Sequence, residues 1–276
     1  MIKDLIVNVT IGDGPDVAGP YALSIAETFD AHVGAVAFVY DPVIPPSIMG
    51  GIPASLIEDQ RAENEKAAAD ALAKFDQAAK RSGISFESRS VGASLAGASE
   101  SFGAMARRFD LSVVGQSEPD KVAPEELIVE GALFASGRPV LVVPYIQKSG
   151  LKLDRVMVAW DGSRSAARAV GDAMPLLGKA NAIDVVIVAD DRGKSDELPG
   201  ADIAQHLARH GLKVDLKRIV AGGEDVASTL LSHAADTSAD FIVMGAYGHS
   251  RLREFILGGV TRGILAAMTV PALMSH

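Results

Sequence analysis

Short apolar runs alternate with amphipathic stretches along the whole chain. The first half has apolar runs at residues 4–10, 33–39, 86–91, 111–114 and 140–143, and the second half has them at 155–160, 183–189, 214–220, 241–244 and 270–274. Helical patterns lie between them, for example at about 21–29, 58–81 and 165–177. Continuous apolar strands that alternate with helices are typical of a parallel sheet covered by helices on both faces. The pattern therefore predicts an α/β fold in which each half is a doubly wound, five-stranded αβα sandwich.

The order of elements in the second half repeats that of the first half. In each half a long helical stretch is predicted to end at a glycine, Gly83 in one and Gly211 in the other, and a strand follows. A polar segment at 146–150 separates the last strand of the first half from the first strand of the second. We therefore predict two tandem domains, at residues 1–148 and 151–276.

Composition and charge narrow the classes of function. The 276 residues carry a net charge of −9 and contain no cysteine, and the isoelectric point is about 5.2. An acidic chain is a poor partner for nucleic acid, because phosphate neutralisation needs clustered lysine and arginine. Without cysteine there is no disulfide, thiol catalysis or thiolate metal site. No transmembrane run or signal peptide is recognised, which predicts a cytoplasmic protein with no membrane partner.

The glycines near the end of the chain form the most informative motif. The apolar run 241–244 stops at Gly245, Gly248 follows, and Gly258 precedes the last helical stretch and its hydroxyl residue Thr261. Backbone without a Cβ atom can approach a ligand closely, and free N–H groups at a helix start attract anions. The spacing therefore predicts a phosphate-binding loop. The first half has Gly115-Gln-Ser-Glu118 at the corresponding place, and its acidic residues predict that it does not bind nucleotide there.

The Gly-x2-Gly-x9-Gly spacing, the strand and turn through Asp161, and the closing strand at 270–274 resemble the universal stress protein family. The resemblance implies a tandem, Rossmann-like member of the adenine nucleotide α hydrolase-like type, with a degenerate first domain. It implies that Asp161 lies beside the adenosine and that the second strand offers main-chain contacts to adenine. The candidate binding residues are Ala159, Asp161, Val188, Gly245, Gly248, His249, Ser250, Gly258, Gly259 and Thr261.

Several of these residues also have a purely structural interpretation. Asp161 is equally suited to an Asx-turn or to capping the next helix. The family usually has serine or threonine directly after the third glycine, and Gly259 stands there, so one hydroxyl donor is lost. His206 and His210 are interpreted as surface histidines, since no third metal ligand lies near them in sequence. The proline-rich segment 41–53 either covers a pocket or an interface, or packs as a surface excursion on its own domain.

The resemblance implies a stress-response regulatory module that binds ATP, or ADP or AMP, in its second domain, with Mg²⁺ or Mn²⁺ bridging phosphate oxygens. No catalytic residue and no protein metal site is predicted, so at most weak ATP hydrolysis is expected. The alternatives are an interaction protein of the same fold without nucleotide, and a slow ATPase. The strands at 140–143 and 270–274 are predicted to meet as antiparallel edges in an intrachain pseudo-dimer, and a homodimer of the whole chain is left open.

Overall fold

The computed structural model describes residues 1–12, 14–41, 53–118, 124–189, 200–246 and 259–276. Within these ranges the chain forms ten strands and eight helices. It divides into two compact units, Met1–Ser136 and Gly137–His276. Most of the proline-rich segment, at 42–52, lies outside the described residues, as does the linker at 190–199.

The first unit has a parallel sheet of four strands in the order β3-β2-β1-β4. The strands are β1 (Asp4–Asn8), β2 (His32–Tyr40), β3 (Phe86–Ala93) and β4 (Leu111–Gly115). The helices are α1 (Ala18–Phe29), α2 (Ala54–Ser82), α3 (Leu95–Ala106) and α4 (Glu125–Ala135). Strands β1 and β4 are buried throughout except at the first residue of β1, as expected for the centre of a sheet with helices on both faces.

The second unit has six strands in the order β5-β10-β9-β6-β7-β8. The strands are β5 (Val140–Val143), β6 (Arg155–Ala159), β7 (Ala182–Ala189), β8 (Val214–Val220), β9 (Phe241–Gly245) and β10 (Ala272–Ser275). The helices are α5 (Arg164–Leu177), α6 (Ala201–Arg209), α7 (Val226–Asp236) and α8 (Gly259–Ala267). Strands β5 and β10 are antiparallel, with Leu141 opposite Leu273, which confirms the predicted pairing of these two segments.

The α/β fold class predicted from the pattern is confirmed, and most element ends differ from the prediction by only a few residues. Helix α1 begins at Ala18 instead of Tyr21, because a proline such as Pro20 is compatible with the first turn of a helix. Helix α2 begins at Ala54, directly after Pro53, rather than at 58. Gly83 follows α2 with φ of 67°, as the sequence predicted. The domain ends at 148 and 151 stay a prediction, since the second compact unit already includes β5.

Candidate functional site

The candidate site in the second unit lies where the order of the strands reverses. The chain runs from β6 to β7 and β8 on one side of the sheet, and β9 then pairs with the other side of β6. Ala159 at the end of β6 lies opposite Met244 of β9 and Val186 of β7. In open α/β sheets, ligands bind in the crevice outside the carboxyl ends of the strands at such a switch point. Ala159 and Gly245 therefore border one crevice.

The turn after β6 is held by side chains of its own residues. Oδ1 of the exposed Asp161 accepts a hydrogen bond from the Ser163 amide at 2.9 Å, and Gly162 between them has φ of 75°. The Ser163 hydroxyl accepts from the Ala166 amide at 3.1 Å and so caps α5. It also lies 3.0 Å from the hydroxyl of Ser165. The Asx-turn predicted as one role of Asp161 is therefore present.

The capping role of Ser163 and the burial of Ser165 were not predicted from the sequence. Ser163 is the N-cap of α5, and Ser165 is only 9% exposed beneath the end of β9. A Ser-x-x-Ala start after an Asp-Gly turn is a recognisable capping signal. This signal would have placed the N-terminus of α5 at the crevice.

Gly245 is required by packing. It is the last residue of β9, and an added Cβ atom would lie 2.6 Å from the carbonyl carbon of Ser165 and 2.7 Å from its Oγ, and closer still to the Ala166 amide nitrogen. The neighbouring atoms are mostly backbone and cannot rotate away. The first glycine of the motif thus lets α5 approach the end of β9, as a glycine does for close helix–strand packing in dinucleotide-binding folds.

Of the remaining predicted residues, the structure describes Val188, Gly259 and Thr261. Val188 and Ala189 are half-buried in the last two positions of β7. Gly248, His249, Ser250 and Gly258 lie outside the described residues. Gly259 is the exposed first residue of α8, and an added Cβ would have no atom of the described residues within 4 Å. Thr261 is 3% exposed on the stripe of α8 that also buries Ile264. The missing hydroxyl at 259 is therefore not imposed by packing.

The chain just after Gly245 is tied to the last strand. The Ala246 amide donates to the Ser275 carbonyl at 2.8 Å, and Nδ1 of His276 lies 3.1 Å from the Ala246 carbonyl oxygen. The Ser275 hydroxyl in turn donates to Asp172 of α5 at 2.9 Å. These bonds give the start of the glycine loop a fixed position on the sheet.

Comparison with known proteins identifies the second half. Residues 152–276 match the model of the universal stress protein family. The second half of the chain therefore carries a universal stress protein domain.

Several known proteins are similar to this chain. A universal stress protein of Synechocystis sp. is 27% identical over 173 residues, which are 60% of this chain and 57% of that relative's length. A solved universal stress protein from Archaeoglobus fulgidus covers 99% of this chain and 97% of its own, at 18% identity and a TM-score of 0.69. Another solved universal stress protein is a complex with cAMP, and it matches 51% of this chain and 97% of its own at 22% identity and a TM-score of 0.35.

The first unit has acidic residues at the carboxyl ends of its strands. Glu125, the first residue of α4, is 8% exposed. Burial raises the pKa of the Glu125 carboxyl, and the negative charge of Glu118 raises it further. Burial also raises the pKa of the Tyr40 hydroxyl at the end of β2, with a contribution from the charge of Glu125. This electrostatic environment supports the prediction that the first unit does not bind phosphate at this edge.

The raised pKa of Glu125 predicts a pH-dependent loss of stability. An acid whose pKa is raised by folding binds more protons in the folded state, so stability falls as pH rises from the ordinary value of 4.5 through the folded pKa. Glu125→Gln is therefore expected to be more stable than the wild type near pH 7, with the difference vanishing at and below about pH 4.5. Thermal melts across this range measure it. The exposed neighbour Glu126→Gln is the control, and parallel curves for the wild type and E125Q would contradict the prediction.

The first unit also contains a small cavity away from the candidate site. A cavity of about 90 Å³ in the first unit is lined by residues that include Gly34, Glu87, Arg89 and Phe109. It lies beside the middle of β2 and β3, and ligand pockets are usually several times larger. Among the described residues, no group of three or more His, Asp or Glu side chains is arranged to hold a metal ion. In the same part of the chain, no helix combines the length and the apolar composition that crossing a membrane requires.

Proposed function

We propose that the universal stress protein domain binds ATP or a related adenine nucleotide at the carboxyl edge of β6, β7 and β9. The observation that carries the proposal is the position of Gly245. The Gly-x2-Gly-x9-Gly motif begins at the residue where β9 ends, beside β6, at the switch point of the sheet. A phosphate-binding loop placed there meets the crevice in which open α/β sheets bind ligands.

Each candidate residue has a role suited to its place. Asp161 stands exposed at the end of β6, where its free carboxylate oxygen is available to ligand hydroxyls. The main chain of Ala159, Val188 and Ala189 offers hydrogen bonds to the base. The amides of the glycine loop and of the start of α8 are assigned to the phosphates, because helix N-termini favour anions. His249, Ser250 and Thr261 are assigned to the same end of the ligand.

The proposed role is regulation through binding. Occupancy of the crevice would stabilise the second unit by mass action and so change its availability to partners in a stress response. A divalent cation, Mg²⁺ or Mn²⁺, would bridge phosphate oxygens. No residue is assigned as a catalytic base. The protein is proposed to act in the cytoplasm.

A second candidate function is an interaction protein of the same fold that binds no nucleotide. The packing of Gly245 against α5 favours it, because this contact accounts for the first glycine of the motif without a ligand. The missing hydroxyl at Gly259 also favours an interaction protein that binds no nucleotide. The two functions make opposite predictions about nucleotide carried by the purified protein.

The test of the proposal is to denature the purified chain and identify the released nucleotide by mass, followed by calorimetric titration with ATP and Mg²⁺. Gly248→Leu is expected to abolish binding. Asp161→Asn keeps the acceptor for the Ser163 amide but removes the charge, so it is expected to weaken binding about tenfold, the value of one hydrogen bond to a charged group. Asp236→Asn, at an exposed helix end, is the matched control.

The results of these experiments distinguish nucleotide binding from slow ATP hydrolysis and from an interaction protein that binds no nucleotide. ATP released from the wild type, lost in G248L and unchanged in D236N, supports the proposal. Released ADP or AMP with turnover of added ATP would support the slow ATPase. A protein that releases nothing and gives no heat with ATP would overturn nucleotide binding and leave the interaction protein.

A further inference from the structure

Two histidines lie one helical turn apart on the exposed side of α6. His206 and His210 are both exposed, as predicted from the sequence. Their ring centroids are 4.8 Å apart, and the ring planes make an angle of 68°. Residues four positions apart on a helix lie on the same face, about 6 Å apart along the axis. The two rings therefore meet over one patch of the helix surface, which is open to solvent.

The packing of α6 fixes the direction in which this pair points. Ile203 and Leu207 are the buried residues of the helix. Gly200, directly before it, packs so closely that an added Cβ would lie 3.2 Å from a methyl carbon of Leu216 in β8, and closer still to Ile187 in β7. A helix held on the sheet in this way keeps its opposite side towards solvent. A ligand that contacts both rings therefore meets a preorganised pair and loses little conformational entropy on binding.

The charges around the pair suit a cation. Arg209 is the last residue of α6, and His210 is its C-cap, so the pair lies at the helix end that carries partial negative charge. Asp202 lies one turn before His206, is exposed, and offsets the charge of Arg209. Oδ1 of Asp202 accepts a hydrogen bond from the Ile203 amide at 2.8 Å, which keeps this carboxylate at the first turn of the helix.

The chemistry of the pair selects its ligand. Imidazole nitrogen suits zinc, nickel and copper ions, whereas Mg²⁺ and Ca²⁺ prefer oxygen ligands. Two histidines at i and i+4 on one helix face also hold the metal in helical zinc motifs. We propose that His206 and His210 together bind a divalent transition-metal ion such as Zn²⁺. Among the described residues, no third histidine or carboxylate joins them, so water completes the coordination.

This site is separate from the proposed nucleotide site. Strand β8 begins at Val214, four residues after His210, and it runs parallel to β7. The last turn of α6 therefore lies near the amino ends of these strands. The proposed crevice lies at the carboxyl edge of the same sheet, about 20 Å away along a strand of seven residues. The inference goes beyond nucleotide binding, and the failure of either proposal leaves the other untouched.

The experiment is a calorimetric titration of the full chain with ZnCl₂, without added nucleotide, at about pH 7.5, where free imidazole is mostly neutral. One saturable binding event is expected. NiCl₂ is expected to bind more tightly than CoCl₂, the order that nitrogen ligands give, and MgCl₂ to give no saturable heat. Equal binding of MgCl₂ would indicate a carboxylate site and overturn the inference.

Variants test whether the two histidines act together. His206→Gln and His210→Gln are each expected to weaken Zn²⁺ binding tenfold or more, because each removes one of the two protein ligands. Gln205→His combined with His206→Gln keeps the number of histidines but places the two rings about 140° apart around the helix, and it is expected to weaken binding as much. His32→Gln changes a histidine whose Nδ1 lies 2.9 Å from the Ser85 hydroxyl and is the control that binds like the wild type.

Binding should also stabilise the folded chain, since the two rings meet only when α6 is formed. Zn²⁺ at about 100 times its Kd is expected to lower the unfolding equilibrium constant of the wild type about 100-fold, and to leave that of H206Q nearly unchanged. Melts without metal show whether each variant folds. No saturable heat up to about 1 mM Zn²⁺, or wild-type affinity in H206Q or in the shifted pair, would overturn the inference and leave the pair as a ring contact that stabilises α6.

Discussion

Gly245→Ala is expected to destabilise the second unit by about 1–3 kcal/mol, the usual cost of forcing an extra methyl group into a packed site. The added Cβ would lie 2.6 Å from the Ser165 carbonyl carbon and within contact of the Ala166 amide. Alanine normally stabilises relative to glycine by restricting the unfolded chain, by about 0.4–1 kcal/mol. Here the collision with backbone atoms outweighs that gain, because α5 or β9 must shift. Urea unfolding followed by circular dichroism measures the change.

Gly259→Ala is the matched control for this prediction. Gly259 belongs to the same glycine motif, but a Cβ atom there meets nothing within 4 Å. G259A is expected to be as stable as the wild type or slightly more so. Equal stabilities of G245A and G259A would contradict the assigned role of Gly245. A loss of nucleotide binding in G245A would not by itself locate the site, and Gly248 is the better position for the binding test.

The order of strands and helices could be predicted from the sequence because it depends on local patterns. Buried central strands need continuous apolar runs, and helix ends need residues such as Gly83 that tolerate positive φ. The antiparallel pairing of β5 with β10 was implied by the resemblance to the universal stress protein family, and it also covers two apolar edges. The strands and the helix ends follow from residues close together in the chain, whereas β5 and β10 pair across a long stretch of sequence.

The candidate site could be predicted less completely because its determinants are far apart in sequence. The motif marks Gly245 as special, but the contact that requires a glycine comes from Ser165 and Ala166, about 80 residues earlier. Glu125 could be recognised as acidic, whereas its burial on the stripe of α4 depends on the approach of α4 to the sheet. Amino-acid composition does not indicate which residues far apart in the sequence make contact.

The close approach of α3 and α4 explains why the first unit keeps glycines inside two helices. A Cβ atom on Gly103 would lie 2.5 Å from the Gly131 carbonyl oxygen and 2.8 Å from Ala135 Cβ. The Ser99 hydroxyl donates to the Leu127 carbonyl at 2.6 Å across the same interface. These contacts hold α4, and with it Glu125, against the carboxyl edge of the sheet. The burial of Glu125 therefore depends on a helix pair that glycine makes possible.

Gly131→Ala is accordingly expected to destabilise the first unit by about 1–3 kcal/mol. Its Cβ would meet the backbone of Ser99, with the carbonyl carbon at 2.8 Å and the carbonyl oxygen closer still. Helix propensity alone predicts the opposite sign, a gain of up to about 1 kcal/mol for alanine over glycine inside a helix. The packing term is the larger one, because neither helix can move without separating the other contacts between α3 and α4.

Gly171→Ala is the control that tests whether packing makes the stability change of Gly131→Ala negative. Gly171 is exposed inside α5, and a Cβ atom there meets nothing within 4 Å, so only propensity acts and G171A is expected to gain about 0.5–1 kcal/mol. Urea unfolding of both variants, with the m-value checked against the wild type, should give changes of opposite sign. If G131A were stabilised as much as G171A, α3 and α4 would have to lie further apart in solution.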